Sequence, residues 1–115
     1  MIKILLAEDE DAMRKHLTRA LEKANYHVVA VDRGTEAIPI LESERFDLLL
    51  TDIVMPEMDG IELAQQCTAI CTDTQVVFIT GFSGVTLRAA QSIPNAKILS
   101  TPFPFRDLGL EVDRL

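Results

Sequence analysis

The sequence predicts an α/β domain built on a doubly wound, five-stranded parallel sheet. Three observations carry that prediction. Short apolar runs alternate with segments of helical period, and each run is apolar almost throughout rather than at every second position. The chain, at 115 residues, suits one hydrophobic core.

The elements follow in order. Ile2-Lys3-Ile4-Leu5-Leu6-Ala7 reads as a buried first strand. Met13, Leu17, Ala20, Leu21 and Ala24 then recur on one face of a helix. Val28-Val29-Ala30-Val31 is the second strand. Gly34-Thr35 opens a second helix with Ala37, Ile38 and Leu41 as its buried stripe. Pro39 fits that helix best within its first turn, where a missing N–H costs least. Phe46 to Asp52 is the third strand, and the loop Val54-Met55-Pro56-Glu57-Met58-Asp59-Gly60 leads to a third helix that buries Ile61, Leu63, Ala64, Cys67 and Ile70. Val76 to Thr80 is the fourth strand. Gly81 and Gly84 bracket a loop before a short helix around Val85 to Leu87. Lys97 to Ser100 is the fifth strand, ended by Thr101-Pro102, and Arg106 to Leu115 forms a last helix weakened by Gly109.

Composition narrows the function. Hydrophobic residues make up 48% and charged residues 25%, the range of ordinary globular domains. With 18 acidic against 11 basic residues the net charge is −7, a field that repels a phosphate backbone and argues against nucleic-acid binding. No apolar run approaches the roughly 20 residues of a membrane span, and no basic signal-peptide start is present. Cys67 and Cys71 lie four apart within a helical pattern, poor geometry for a disulfide and no zinc signature, so they are expected to pack. His16 and His27 have no partner at ligand spacing. The cytoplasm is the expected compartment.

In an open parallel sheet the working crevice lies beyond the carboxyl ends of the strands. The first strand runs into Glu8 and Asp9, the third ends at Asp52 and the fourth at Thr80. If the first and third strands are neighbours, three carboxylates face one crevice. Like charges so close cannot all stay ionised without help, and a hard divalent cation such as Mg²⁺ resolves the conflict. A carboxylate beside such a cation can accept a phosphoryl group. Glu10 and Asp11 are expected only to cap the following helix.

Leu5-Leu6-Ala7-Glu8-Asp9-Glu10, Leu50-Thr51-Asp52-Ile53-Val54-Met55-Pro56-Glu57-Met58-Asp59-Gly60 and Phe78-Ile79-Thr80-Gly81 together resemble the receiver domain of two-component response regulators, over essentially the whole chain. The resemblance implies a flavodoxin-like (βα)5 fold across residues 1–115, with no output domain. It implies that Asp52 is the phosphoacceptor, that Glu8, Asp9, Asp52 and the carbonyl of Val54 hold Mg²⁺, and that Thr80 bonds a phosphoryl oxygen. The donor would be a histidine kinase or a histidine phosphotransfer protein. More narrowly, the segments from Thr51 to Leu63 and Phe78 to Phe82, with the ending Arg106-Asp107-Leu108, resemble single-domain regulators of bacterial cell-cycle proteolysis. That likeness implies the ClpXP protease as partner.

One position departs from the family. Where receivers carry a Lys before Pro, this chain has Thr101-Pro102. Thr101 keeps a hydroxyl donor without the charge, and the loss of a charged hydrogen bond corresponds to about 10- to 100-fold in coupling. Lys97 lies four residues earlier, near the opposite end of the strand, and is not expected to substitute. Ile98 stands where many receivers carry an aromatic. The output surface is expected around Leu87, Arg88, Ile98, Phe105 and Arg106. Phe103 is expected in the core. Two further readings stay open: a phosphorylation-insensitive binding module, because of Thr101, and a phosphatase with Asp52 as nucleophile. The second lacks an acid two residues after Asp52, where Val54 stands.

Overall fold

In the computed structural model, which describes residues 2–80, 93, 96–100 and 112, the chain forms β1 (Lys3–Ala7), α1 (Asp11–Lys23), β2 (His27–Val31), α2 (Gly34–Ser43), β3 (Leu48–Asp52), α3 (Gly60–Ile70), β4 (Gln75–Thr80) and β5 (Lys97–Ser100). The strands form one parallel sheet in the order β2-β1-β3-β4-β5. After β1 the chain steps outward to β2, then returns across β1 to β3. The crevice of such a sheet opens at this reversal, between β1 and β3.

The unbroken apolar character of β1, β3 and β4 follows from burial on both faces, whereas at the edge strand β2 only Val31 is buried. Leu5, Leu49, Val76 and Phe78 point toward Ala37 and Leu41 of α2 and Leu63, Ala64 and Cys67 of α3. Ile4, Leu6, Leu48, Leu50, Val77 and Ile79 point the opposite way, toward Leu17 and Leu21 of α1, with Leu99 and Val112 in the same cluster. Alternate residues of one strand therefore feed two cores.

Local chemistry sets the helix ends. α1 stops at Asn25, which adopts a left-handed φ of 70° that asparagine tolerates better than most residues. Asn25 N–H then donates to Glu22 O at 3.0 Å and Tyr26 N–H to Leu21 O at 3.1 Å, a Schellman closure. At the start of α3, Asp59 caps, its Oδ1 accepting from Glu62 N–H at 2.8 Å.

Three expectations are corrected. Glu10 occupies the N-cap of α1 but makes no capping side-chain bond; Asp11 instead pairs with Arg14. Pro39 lies in the interior of α2 rather than its first turn. That helix persists because Ala37 and Leu41 are buried on either side of it, and tertiary packing outweighs a lost backbone bond. Ile70, placed on the buried stripe of α3 by its spacing, is 38% exposed because it ends the helix. The helices expected around Val85–Leu87 and Arg106–Leu115 lie outside the described residues, apart from Val112, which is helical and buried.

Candidate functional site

The register of the sheet brings the acids together. Ala7 of β1 pairs with Thr51 of β3, so the next residues along the two strands, Glu8 and Asp52, lie level with each other. Glu8 is anchored by its own backbone, its N–H donating to Val31 O at 3.1 Å. Its side chain is buried, whereas Asp9 is exposed and Asp52 half-buried. One carboxylate oxygen from each of Glu8, Asp9 and Asp52 lies within 4.8 Å of the others.

Such crowding has an electrostatic consequence. Burial, then the hydrogen bond and negative charge of Asp52, push the Glu8 carboxyl up to about 8. Glu8 therefore favours its protonated form near neutrality. Three hard oxygen donors within 4.8 Å, one of them disfavoured as an anion, form a donor set compatible with a divalent cation such as Mg²⁺.

The loop after Asp52 is shaped by backbone contacts. Val54 follows, 58% exposed. Glu57 sits at φ 68°, with Met58 N–H donating to Pro56 O at 2.9 Å across it, a tight and strained γ-turn. Met55 is buried beneath the loop and Met58 packs against the same cluster. Thr35 of α2 donates from its hydroxyl to Glu57 Oε2 at 3.3 Å. Gly60 N–H donates to Ile53 O at 2.8 Å, which seats the start of α3 directly under the acid-bearing strand end. A Cβ on Gly60 would lie 2.1 Å from the carbonyl oxygen of Asp52, so only glycine allows this approach. The importance of Gly60 was not evident from spacing; the Asp-Gly pair before an apolar helix was its one signal.

The remaining site residues divide by position. Thr80 ends β4 opposite Ser100 of β5, at the same sheet edge as Asp52, which pairs with Ile79. Lys97 is the first residue of β5 and exposed, at the far end of the strand from that edge, as expected. Ile98 is half-buried and packs against the core beneath α2 and α3. Thr101, Leu87, Arg88, Phe105 and Arg106 lie outside the described residues. Cys67 is buried and its thiol is raised to about 11 by burial and by Cys71, whose S–H donates to Leu41 O at 3.4 Å. Both cysteines are packing residues. No described helix is long and apolar enough to cross a membrane.

Residues 4–112 match the family of response regulator receiver domains. The chain is 53% identical to the response regulator receiver protein CpdR of Brucella abortus, over the whole of this chain and 97% of that protein. Its fold superposes on the chemotaxis protein CheY4 of Vibrio cholerae with a TM-score of 0.90 at 24% identity, covering 99% of this chain and 98% of that one. The response regulator TrrA of Thermotoga maritima, in complex with Mg²⁺–BeF, superposes with a TM-score of 0.82 at 26% identity, covering 99% and 98%.

Proposed function

Because the chain belongs to the response regulator receiver family of two-component signalling, we propose that it is a single receiver domain that takes a phosphoryl group onto Asp52 and passes the signal on through protein contacts. The observation that carries this reading is the convergence of Glu8, Asp9 and Asp52 within 4.8 Å at the carboxyl edge of the sheet. An oxygen of Asp52 attacks the phosphorus of a phosphohistidine in line. The P–N bond to the donor imidazole breaks as the P–O bond to Asp52 forms, and the imidazole nitrogen leaves with a proton from solvent.

Glu8, Asp9, Asp52 and the carbonyl of Val54 would hold Mg²⁺, a cation that a relative of this fold carries with BeF. When bound, the cation offsets negative charge on the phosphoryl oxygens. This chain's own residues do the rest. Glu8 and Asp9 supply the anionic seat, the Gly60 contact fixes the backbone of Asp52, and Thr80 donates its hydroxyl to a phosphoryl oxygen. Hydrolysis of the acyl phosphate later resets the domain. On this reading the donor is a histidine kinase or a histidine phosphotransfer protein and the reaction is cytoplasmic.

The likeness to CpdR supports a finer reading: the unphosphorylated form is an adaptor for the ClpXP protease in cell-cycle proteolysis. Contacts through Leu87, Arg88, Ile98, Phe105 and Arg106 would carry it. Intact mass after incubation with acetyl phosphate and Mg²⁺ tests the chemistry, with Asp52→Asn as control. A phosphoryl adduct confined to the parent chain supports Asp52 as acceptor; its absence from a folded parent refutes it. Co-precipitation with ClpX tests the partner, and no binding in either phosphorylation state refutes the adaptor role.

Thr101, in place of the family's Lys, favours a second reading. Without a cation to couple the phosphoryl group to the output surface, the domain binds its partner whatever the state of Asp52. Equal partner affinity with and without BeF₃⁻ distinguishes this reading, and Thr101→Lys should restore a phosphorylation-dependent difference.

A further inference from the structure

We propose that Arg14 positions the metal-binding acids of this domain by holding the peptide group between Glu8 and Asp9. That peptide is gripped at both polar ends. Its oxygen, the Glu8 carbonyl, accepts from Arg14 Nη1 at 3.0 Å. Its N–H, that of Asp9, donates to Glu8 Oε2 at 3.0 Å. The two carboxylates branch from Cα atoms on either side of this rigid plane, so its orientation sets the direction in which each leaves the backbone.

Arg14 is itself well held. Its backbone N–H donates to Glu10 O at 2.9 Å. Its second guanidinium nitrogen pairs with Asp11, one turn earlier on α1, and the side chain is only 19% exposed. A guanidinium presents its donors in a fixed planar fork, so one arm can serve the Glu8 carbonyl while the other stays on Asp11. A lysine in its place would keep the charge and lose the fork. The side-chain partners of Arg14 are the Glu8 carbonyl and Asp11, not a metal-binding carboxylate, so it acts through the peptide between Glu8 and Asp9.

This inference rests on the Mg²⁺-dependent reading of the site. Residues that orient metal ligands typically govern affinity by about 10- to 100-fold. The test uses the full chain with Arg14→Ala and Arg14→Lys, in three measurements. These are calorimetric titration with Mg²⁺, hydrogen exchange of the Asp9 amide without metal, and phosphorylation by acetyl phosphate across Mg²⁺ concentrations. Both variants should bind Mg²⁺ about 10-fold more weakly and exchange the Asp9 amide faster. At saturating Mg²⁺ their phosphorylation rate should return to that of the parent, because Asp52 is untouched.

An arginine that merely supports the fold would lower the melting temperature and leave the Mg²⁺ affinity unchanged. Parental affinity in Arg14→Ala overturns the proposal, and so does parental affinity in Arg14→Lys, since charge alone would then suffice. If Arg14→Ala fails to fold, Arg14→Lys decides. A parent that binds Mg²⁺ but takes no phosphoryl group refutes the acceptor reading alone, and calorimetry still judges Arg14. A parent that binds no Mg²⁺ overturns both.

Discussion

Replacing Gly60 by alanine opposes two forces of calculable size at the heart of the site. In a free helix the exchange would favour folding by about 1 kcal/mol, because alanine loses less backbone entropy. Here the new Cβ would lie 2.1 Å from the carbonyl oxygen of Asp52, 2.9 Å from Ile53 Cα and 3.0 Å from the Asp52 carbonyl carbon. A tolerable C···O contact begins near ~3.3 Å, so α3 and the end of β3 must separate by about 1 Å. All three obstacles are backbone atoms, and none can rotate away. Overpacking of this kind costs about 1–3 kcal/mol, and the depth of the overlap puts it at the upper end.

The net loss is therefore about 2 kcal/mol, which lowers the melting temperature of a domain this size by about 10 °C. The displaced backbone is that of Asp52 itself. A shift of about 1 Å at a reacting group corresponds to as much as about 100-fold in rate. Thermal and urea unfolding of Gly60→Ala, with phosphoryl incorporation from acetyl phosphate followed by intact mass, measure both effects. A variant that melts at or above the parent and accepts phosphate at the parental rate would refute the reasoning: helix propensity would have won.

Further outcomes follow from the same geometry. In metal-free protein, the folded state holds the Glu8 proton up to about 8, against an ordinary value of 4.5. The stability linked to that proton is complete below about pH 4.5 and is lost as pH rises through 8. Melting curves from pH 5 to 9 should show this decline, Glu8→Gln should flatten it, and an unchanged slope in the variant refutes the assignment. Asp59→Ala removes the cap on Glu62 N–H and should cost about 1 kcal/mol in urea unfolding, whereas Asp59→Asn, an equally good cap, should cost almost nothing. Pro39 is exposed within α2, so Pro39→Ala restores an amide donor without opening a cavity. It should stabilise by about 1–2 kcal/mol after the entropy gained by the unfolded chain is deducted, and a lower melting temperature would show that the proline ring packs usefully.

Much of the fold is legible in the sequence. Runs such as Ile4 to Ala7 and Leu48 to Leu50 have no polar alternation, and a strand buried on both faces requires that pattern. The strand-end positions of Glu8, Asp52 and Thr80 followed from where those runs stop. Pattern was a poorer guide where one local preference met a tertiary one. Pro39 is awkward in a helix opened by Gly34 on backbone chemistry alone, yet α2 tolerates it because Ala37 and Leu41 are buried beside it. Glu10 had the right place for a cap and the wrong side-chain geometry.

The sequence by itself determined the class of fold, the identity of the acids and the departure at Thr101, because each is written in residue type and short-range spacing. Tertiary structure decided what those acids are to one another. The pairing of Ala7 with Thr51 across 44 residues brings Glu8 level with Asp52, and burial there raises the Glu8 carboxyl to about 8. The need for glycine at position 60 likewise arises only when the start of α3 meets the backbone of β3. The grip of Arg14 on the Glu8 carbonyl exists only once α1 has turned back over the end of β1. Distance and desolvation belong to the packed chain, and no local pattern encodes them.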